Sequence, residues 1–189
     1  MNISRRQALV TLSAIGLTSV TSAMKSPQTG LLQRTIPSTG ESLPAVGVGT
    51  WQTFDVGESE ADRKPLKEVL QKMIENGSKV IDSSPMYGHS EEVVGELSTE
   101  LKLNNKLFIA TKVWTSGEDA GIRQMNQSFA LLKRQTIDLM QVHNLVDWQT
   151  HMKILRKWKD EGKIRYIGLT HYIDSTHDTL ADIITKKPD

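Results

Sequence analysis

The stretch "IDSSPMYGHSEEVVGEL", residues 81–97, runs from the end of an apolar strand into a helix, with a carboxylate, Asp82, and a phenol, Tyr87, at the corner. Such a turn needs Ser, Pro and Gly; it has no need of an acid or a tyrosine. Reading outward, the same unit recurs along the chain. "AVGVGTW" (45–51) reads as a strand, and Leu66, Val69, Leu70, Met73 and Ile74 follow at helical spacing until Gly77 stops the helix. "KVIDSS" (79–84) is the next strand, followed by a helix with Val93, Val94, Leu97 and Leu101. "LFIATKVW" (107–114) precedes a helix with Ile122, Met125, Phe129 and Leu132. "IDLMQVHN" (137–144) precedes one with Trp148, Met152, Leu155 and Trp158, read as a core-packing face that ends at Gly162. "KIRYIGLTHY" (163–172) is a fifth strand, and Ser175 opens a last helix with Leu180, Ile183 and Ile184. Upstream, "RTIPSTGESLPAVG" places Ser38, Thr39 and Gly40 between two extended pieces, the pattern of a hairpin.

Strands alternating with amphipathic helices imply parallel βα units. The strands are continuous apolar runs, as expected when both faces of a sheet are covered. An open doubly wound sheet and a closed barrel both fit this pattern. Asp82, Lys112, His143 and the pair Thr170–His171 all fall at the C-terminal ends of consecutive strands, and in a (β/α)8 barrel those ends converge on one mouth. The expected fold is therefore α/β of the TIM-barrel type, preceded by an N-terminal β-hairpin. Eight units need about 250 residues, whereas this chain has 189 and shows five strands. About three C-terminal units are expected to be absent, leaving the first and fifth strands as edges.

Composition narrows the function classes. A net charge of +1 gives no electrostatic footprint for nucleic acid or an anionic membrane. The chain has no cysteine, which excludes disulfides and thiolate chemistry. Residues 1–23 differ from the rest. Arg5 and Arg6 precede a short apolar run from Ala8 to Val20 and small residues ending at Ala23, and the first acidic residue of the chain is Glu41. That order describes an export signal, and the run is too short and too rich in Ser and Thr for a stable membrane span. "SRRQALV" resembles a twin-arginine signal, with Ala8 in place of the usual aromatic. The resemblance implies engagement with export machinery and a periplasmic destination. Removing the two arginines turns the net charge from +1 to −1. Residues 24–32 read as a linker and 33–189 as one partial barrel domain.

Four side chains at the expected mouth can work together. A phenol is a poor acid near neutrality, an ammonium beside it favours the phenolate, and a carboxylate holds the ammonium. An imidazole can orient a carbonyl oxygen or share its developing charge. Asp82, Tyr87, Lys112 and His143 supply these parts.

The same segments, "VGVGTWQT", "IDSSPMYGHSEEVVGEL", "FIATKVW", "IDLMQVHN" and "GKIRYIGLTHY", closely resemble the aldo-keto reductases over about residues 33–172. The resemblance implies reduction of an aldehyde or ketone with NADPH, or less often NADH. It assigns Tyr87 as general acid, Lys112 as the partner that lowers its pKa, Asp82 as the lysine's counter-ion and His143 as the residue that positions the carbonyl. It also places Trp51 and Trp114 in the substrate pocket. Thr170 and His171 stand where the family has the Ser and Asn that hold the nicotinamide carboxamide, and His for Asn is a departure. Gly49, Thr50, Trp51, Asp82, Thr170 and His171 are the expected cofactor contacts, because the family's pyrophosphate and 2′-phosphate contacts come from the last three units. Two other readings compete. One is a barrel metal hydrolase with Asp82, His143 and His171 as ligands; "VGVGTW" lacks the His or carboxylate to complete that site. The other is an inactive fragment, or a structural protein that pairs its open edges with another chain. His151 and His177, on expected helices, read as surface residues.

Overall fold

In the computed structural model of the chain, residues 30–185 are described. The signal segment 1–23 and most of the linker 24–32 therefore lie outside the described residues. A hairpin of β1 (Gln33–Thr35) and β2 (Ser42–Pro44) comes first. The order is then β3 (Val48–Gly49), α1 (Glu60–Glu75), β4 (Val80–Asp82), α2 (Ser90–Glu100), β5 (Phe108–Val113), α3 (Glu118–Leu131), β6 (Ile137–Val142), α4 (Trp148–Asp160), β7 (Ile164–Leu169) and α5 (His177–Thr185). The five strands β3 to β7 form one parallel sheet in sequence order, which is the wall of a partial TIM-type barrel. Its edges among the described residues are β3 and β7. No helix among the described residues is long and apolar enough to cross a membrane.

The core lies between this sheet and the helices that connect its strands. Strand β5 is buried along its whole length, so only apolar or fully partnered residues can occupy it. Leu66, Leu70 and Met73 of α1, Val93, Val94 and Leu97 of α2, Met125 of α3, and Met152, Leu155 and Trp158 of α4 pack against the strands. Strand β3 is shorter than its apolar run suggests. Its ladder ends at Thr50, whose N–H reaches Asp82 O at 3.0 Å, and the carbonyl of Thr50 then accepts Thr53 N–H and Phe54 N–H in a tight turn.

Helices α1 to α4 end in the same way. The residues just past their C-caps, Gly77, Lys102, Lys133 and Gly162, have φ of 84°, 55°, 52° and 72°. The next N–H returns to the last turn: Ser78 to Met73 O, Leu103 to Ser98 O, Arg134 to Phe129 O and Lys163 to Trp158 O. The two glycines adopt this conformation without cost; the two lysines adopt it against a steric penalty of about 1 kcal/mol.

The hairpin is tied to the far end of the sheet. Tyr166 Oη donates to Glu41 Oε2 at 2.7 Å and meets Thr39 Oγ1 at 2.8 Å, and Glu41 also pairs with Arg165 and Lys79. Asp138 of β6 joins this layer, accepting Ile109 N–H at 2.8 Å and pairing with Arg134 and Arg165. Polar anchors thus hold the N-terminal ends of the strands, and the opposite ends are left for the site.

Candidate active site

Asp82 is the last residue of β4, Lys112 lies in the last turn of the β5 pleat, and His143 follows β6 directly. Tyr87 sits in the turn that leads into α2, its N–H bonded to Ser84 O at 3.0 Å. These four side chains converge. Lys112, 4% exposed, donates from Nζ to Asp82 Oδ2 and to Ser83 O, both at 2.7 Å. The same Nζ lies 5.0 Å from the centroid of the Tyr87 ring. The His143 ring meets that ring edge-on, with centroids 5.9 Å apart at 85°. A lysine in a fully buried strand needs a strong partner, and Asp82 with the Ser83 carbonyl provides it.

The electrostatics differ from the sequence expectation in one respect. Burial raises the Tyr87 phenol above its ordinary value and the Asp82 carboxylate raises it further, where an ammonium-lowered phenol is expected. The Lys112 ammonium donates to Asp82 and to the Ser83 carbonyl, and it lies over the Tyr87 ring. His143 moves the other way. Burial, reinforced by the Lys112 charge, depresses its pKa from 6.5 to about 4, so the imidazole is neutral near pH 7. Its Nδ1 is 3.1 Å from Ser84 Oγ, which also accepts Met86 N–H at 3.4 Å. With Ser84 donating to Nδ1, Nε2 carries the imidazole proton on the other side of the ring. Beyond His143, Asn144, Leu145 and Asp147 have φ between 47° and 57°, three non-glycine left-handed residues in the turn that leads to α4.

The group lies on a cleft of about 500 Å³ lined by Trp51, Met86, Tyr87, Lys112, His143, Asn144, Thr170, His171 and Tyr172. Trp51 is exposed at the rim; Trp114 is also exposed and does not line this cleft. Thr170 Oγ1 accepts Asn144 N–H at 3.4 Å. His171 Nδ1 accepts the N–H groups of Tyr172 and Ile173, both at 3.1 Å, which leaves its Nε2 as a donor. The cleft thus presents the Thr170 hydroxyl, which also donates to Val142 O at 3.4 Å, and an imidazole N–H, polar groups of the kind that could hold a carboxamide. Lys112 is the only lysine or arginine among the lining residues, so this cleft offers phosphates no free cation. Gly49 lies at the exposed end of β3, with its carbonyl accepting Thr53 Oγ1. Thr50, expected above as a cofactor contact, does not line this cleft. It is fully buried, and its hydroxyl donates to Ser83 Oγ at 2.9 Å, because the turn after β3 folds it inward.

The metal-hydrolase reading fails on geometry. Among the described residues no three His, Asp or Glu side chains gather to hold a metal, and Asp82 is directed at Lys112. His177 is exposed, whereas His151 is completely buried, which corrects its reading as a surface residue. Its Nε2 meets Thr115 O at 2.7 Å, and its ring occupies space that only a glycine leaves open, since a Cβ on Gly121 would lie 2.4 Å from Cε1. Sequence reading also passed over Ser84 and Gln141. Gln141 shares the Lys112 register and its Nε2 reaches Asp82 Oδ1 at 3.5 Å. The signal was present: each lies two residues from a chosen residue, Asp82 or His143, and Gln141 is on a strand where such pairs share a face.

Known proteins carry the same arrangement of elements. Residues 45–187 match the aldo/keto reductase family. The methylglyoxal reductase YeaE of Escherichia coli is 34% identical over 146 residues, which are 74% of this chain and 50% of that protein. The aldo-keto reductase YhdN of Bacillus subtilis is 28% identical over 160 residues, 77% of this chain and 48% of its own. An aldo/keto reductase of Klebsiella pneumoniae, crystallised with NADP and acetate, superposes with a TM-score of 0.63 at 27% identity, covering 76% of this chain and 52% of that one. The chain thus spans about half the length of the curated relatives it matches.

Proposed function

The chain belongs to the aldo/keto reductase family, and on that premise we propose that its cleft reduces an aldehyde or ketone to the alcohol, with Tyr87 delivering the proton. The observation that carries this reading is the convergence of Tyr87, Lys112 and His143 on one cleft, with Asp82 bonded to Lys112. NADPH, or NADH, supplies the hydride when bound. Thr170 and His171 would hold its carboxamide. That cofactor is bound by the Klebsiella relative as NADP.

The protein's own groups divide the proton chemistry. The neutral His143 donates from Nε2 to the carbonyl oxygen and fixes the carbonyl's orientation without adding a second positive charge. The raised phenol keeps its proton until negative charge develops on that oxygen. As the carbonyl carbon accepts hydride, the O–H bond of Tyr87 breaks and its proton moves to the oxygen. The nascent phenolate then draws on the Lys112 charge beside its ring, an attraction stronger in the transition state than in the resting state. Asp82 opposes the phenolate but holds the ammonium in place.

The test is Tyr87→Phe, followed by consumption of NADPH with a small aldehyde. Loss of at least about a hundredfold in turnover with cofactor affinity retained supports the donor role; unchanged turnover ends it. A second reading rests on β3 and β7, the edges of the sheet among the described residues: the chain assembles by pairing them with another chain. Sedimentation velocity separates a discrete monomer from such an assembly. The basic, apolar, small-residue order of residues 1–23 supports export by a twin-arginine route. Cytoplasmic retention of an Arg5→Lys, Arg6→Lys double variant would test it.

A further inference from the structure

Glu91 is a carboxyl with no place in the chemistry above, yet it is 1% exposed. Burying a carboxyl without a cationic partner is costly unless its oxygens are satisfied. Here both are. Oε1 accepts the hydroxyl of Thr111 at 2.5 Å, and Oε2 accepts that of Ser128 at 3.0 Å. Thr111 and Ser128 are both fully buried. One carboxyl thus joins three elements: α2, β5 and α3.

The positions in sequence give this joint its meaning. Glu91 lies in the first turn of α2, four residues after Tyr87, and the intervening turn is closed by Ser90 N–H on Tyr87 O at 3.1 Å. Thr111 immediately precedes Lys112 on β5. Side chains alternate across a strand, so Lys112 faces the cleft while Thr111 faces the helices. The Glu91–Thr111 bond therefore holds, from behind the sheet, the two segments whose side chains meet in front of it. The Ser128 bond joins the start of α2 to α3 and does not reach β5.

We propose that Glu91 is a positioning residue that sets the spacing of Tyr87 and Lys112 by fixing the start of α2 to β5 through Thr111. This role rests on the proton-donor reading of Tyr87, but its test does not use turnover. The chain has three tyrosines, Tyr87, Tyr166 and Tyr172. Labelling them with ¹³C at Cζ lets each phenol be titrated through the alkaline range by NMR, with Tyr87→Phe identifying its signal. The groups facing Tyr87 are Asp82 from β4, Lys112 from β5, His143 after β6 and His171 after β7, and none of them is altered in the variants.

In Thr111→Val, and in Glu91→Ala, a loosened Tyr87 turn admits water and its midpoint falls toward the ordinary value of about 10. In Ser128→Ala the midpoint stays in place, and in Glu91→Gln it is retained because an amide still accepts from one hydroxyl and donates to the other. If Glu91→Ala fails to fold, the near-isosteric Thr111→Val decides the matter. An unmoved Tyr87 midpoint in Thr111→Val, or an equal shift in Ser128→Ala, overturns the proposal and leaves Glu91 as packing alone. Unchanged turnover in Tyr87→Phe would instead end the donor reading while the titration result stood.

Discussion

The ion pair between Lys112 and Asp82 is asymmetric, and the asymmetry makes a measurable prediction. The Lys112 side chain is 5% exposed and the Asp82 side chain 44%. Replacing Lys112 by Met keeps most of the apolar stem and leaves Asp82 able to turn to water. What it orphans is the Ser83 carbonyl, at a cost of about 1 kcal/mol, the lower end of the range for an unpaired buried acceptor. Replacing Asp82 by Ala instead leaves an ammonium in a fully buried strand with one carbonyl partner. Breaking a buried pair in this way costs about 3–5 kcal/mol, and the exposure of Asp82 reduces this to about 2–3 kcal/mol. With a urea slope of about 2 kcal/mol per molar, the midpoint should fall by about 0.5 M in Lys112→Met and by about 1 M or more in Asp82→Ala. Urea unfolding of the full chain, followed by tryptophan fluorescence, measures both. If Lys112→Met proved the more damaging, the claim that Asp82 serves to make a buried ammonium tolerable would be wrong.

Three further outcomes follow from the geometry. Gly121→Ala should cost about 1–3 kcal/mol by overpacking, and adding His151→Ala should recover much of it; strict additivity in that double-mutant cycle would show that the two residues do not meet. His143 titrates near 4 in the folded chain and near 6.5 when unfolded. Between those values the unfolded chain binds a proton that the folded chain does not, so stability should fall as pH drops from 6.5 to 4 and be fully present above 6.5; a melting temperature in His143→Asn that keeps the wild-type slope across that window would contradict it. Glu41 is held below its ordinary value by Tyr166, Arg165 and Lys79, so Glu41→Gln should speed amide exchange in the hairpin about threefold, and an unaltered rate would mean the anchor is idle.

Much of the site was legible because a parallel sheet puts its chemistry at strand ends. Lys112 stood out as a cation inside an apolar run, and Asp82, His143 and Thr170 each closed one. What was not legible depends on contacts across the fold. Nothing local says that His151 is buried, because the space it fills is left by Gly121, thirty residues away on another helix. Ser84 looks like a turn residue until His143 arrives 59 residues later. Helix ends at Gly77 and Gly162 could be read from composition, whereas Lys102 and Lys133 take the same left-handed geometry with no residue-type signal. The direction of the Tyr87 shift was missed for a related reason: sequence supplies the charges near a phenol but not its burial.

The hairpin bond between Glu41 and Tyr166 spans 125 positions of the chain. At a synthesis rate of about 5–20 residues per second, the hairpin waits about 6–25 seconds before its anchor exists. During that interval a lone two-stranded hairpin has little stability of its own. The hairpin, the first element among the described residues, is therefore secured only after β7 has been made.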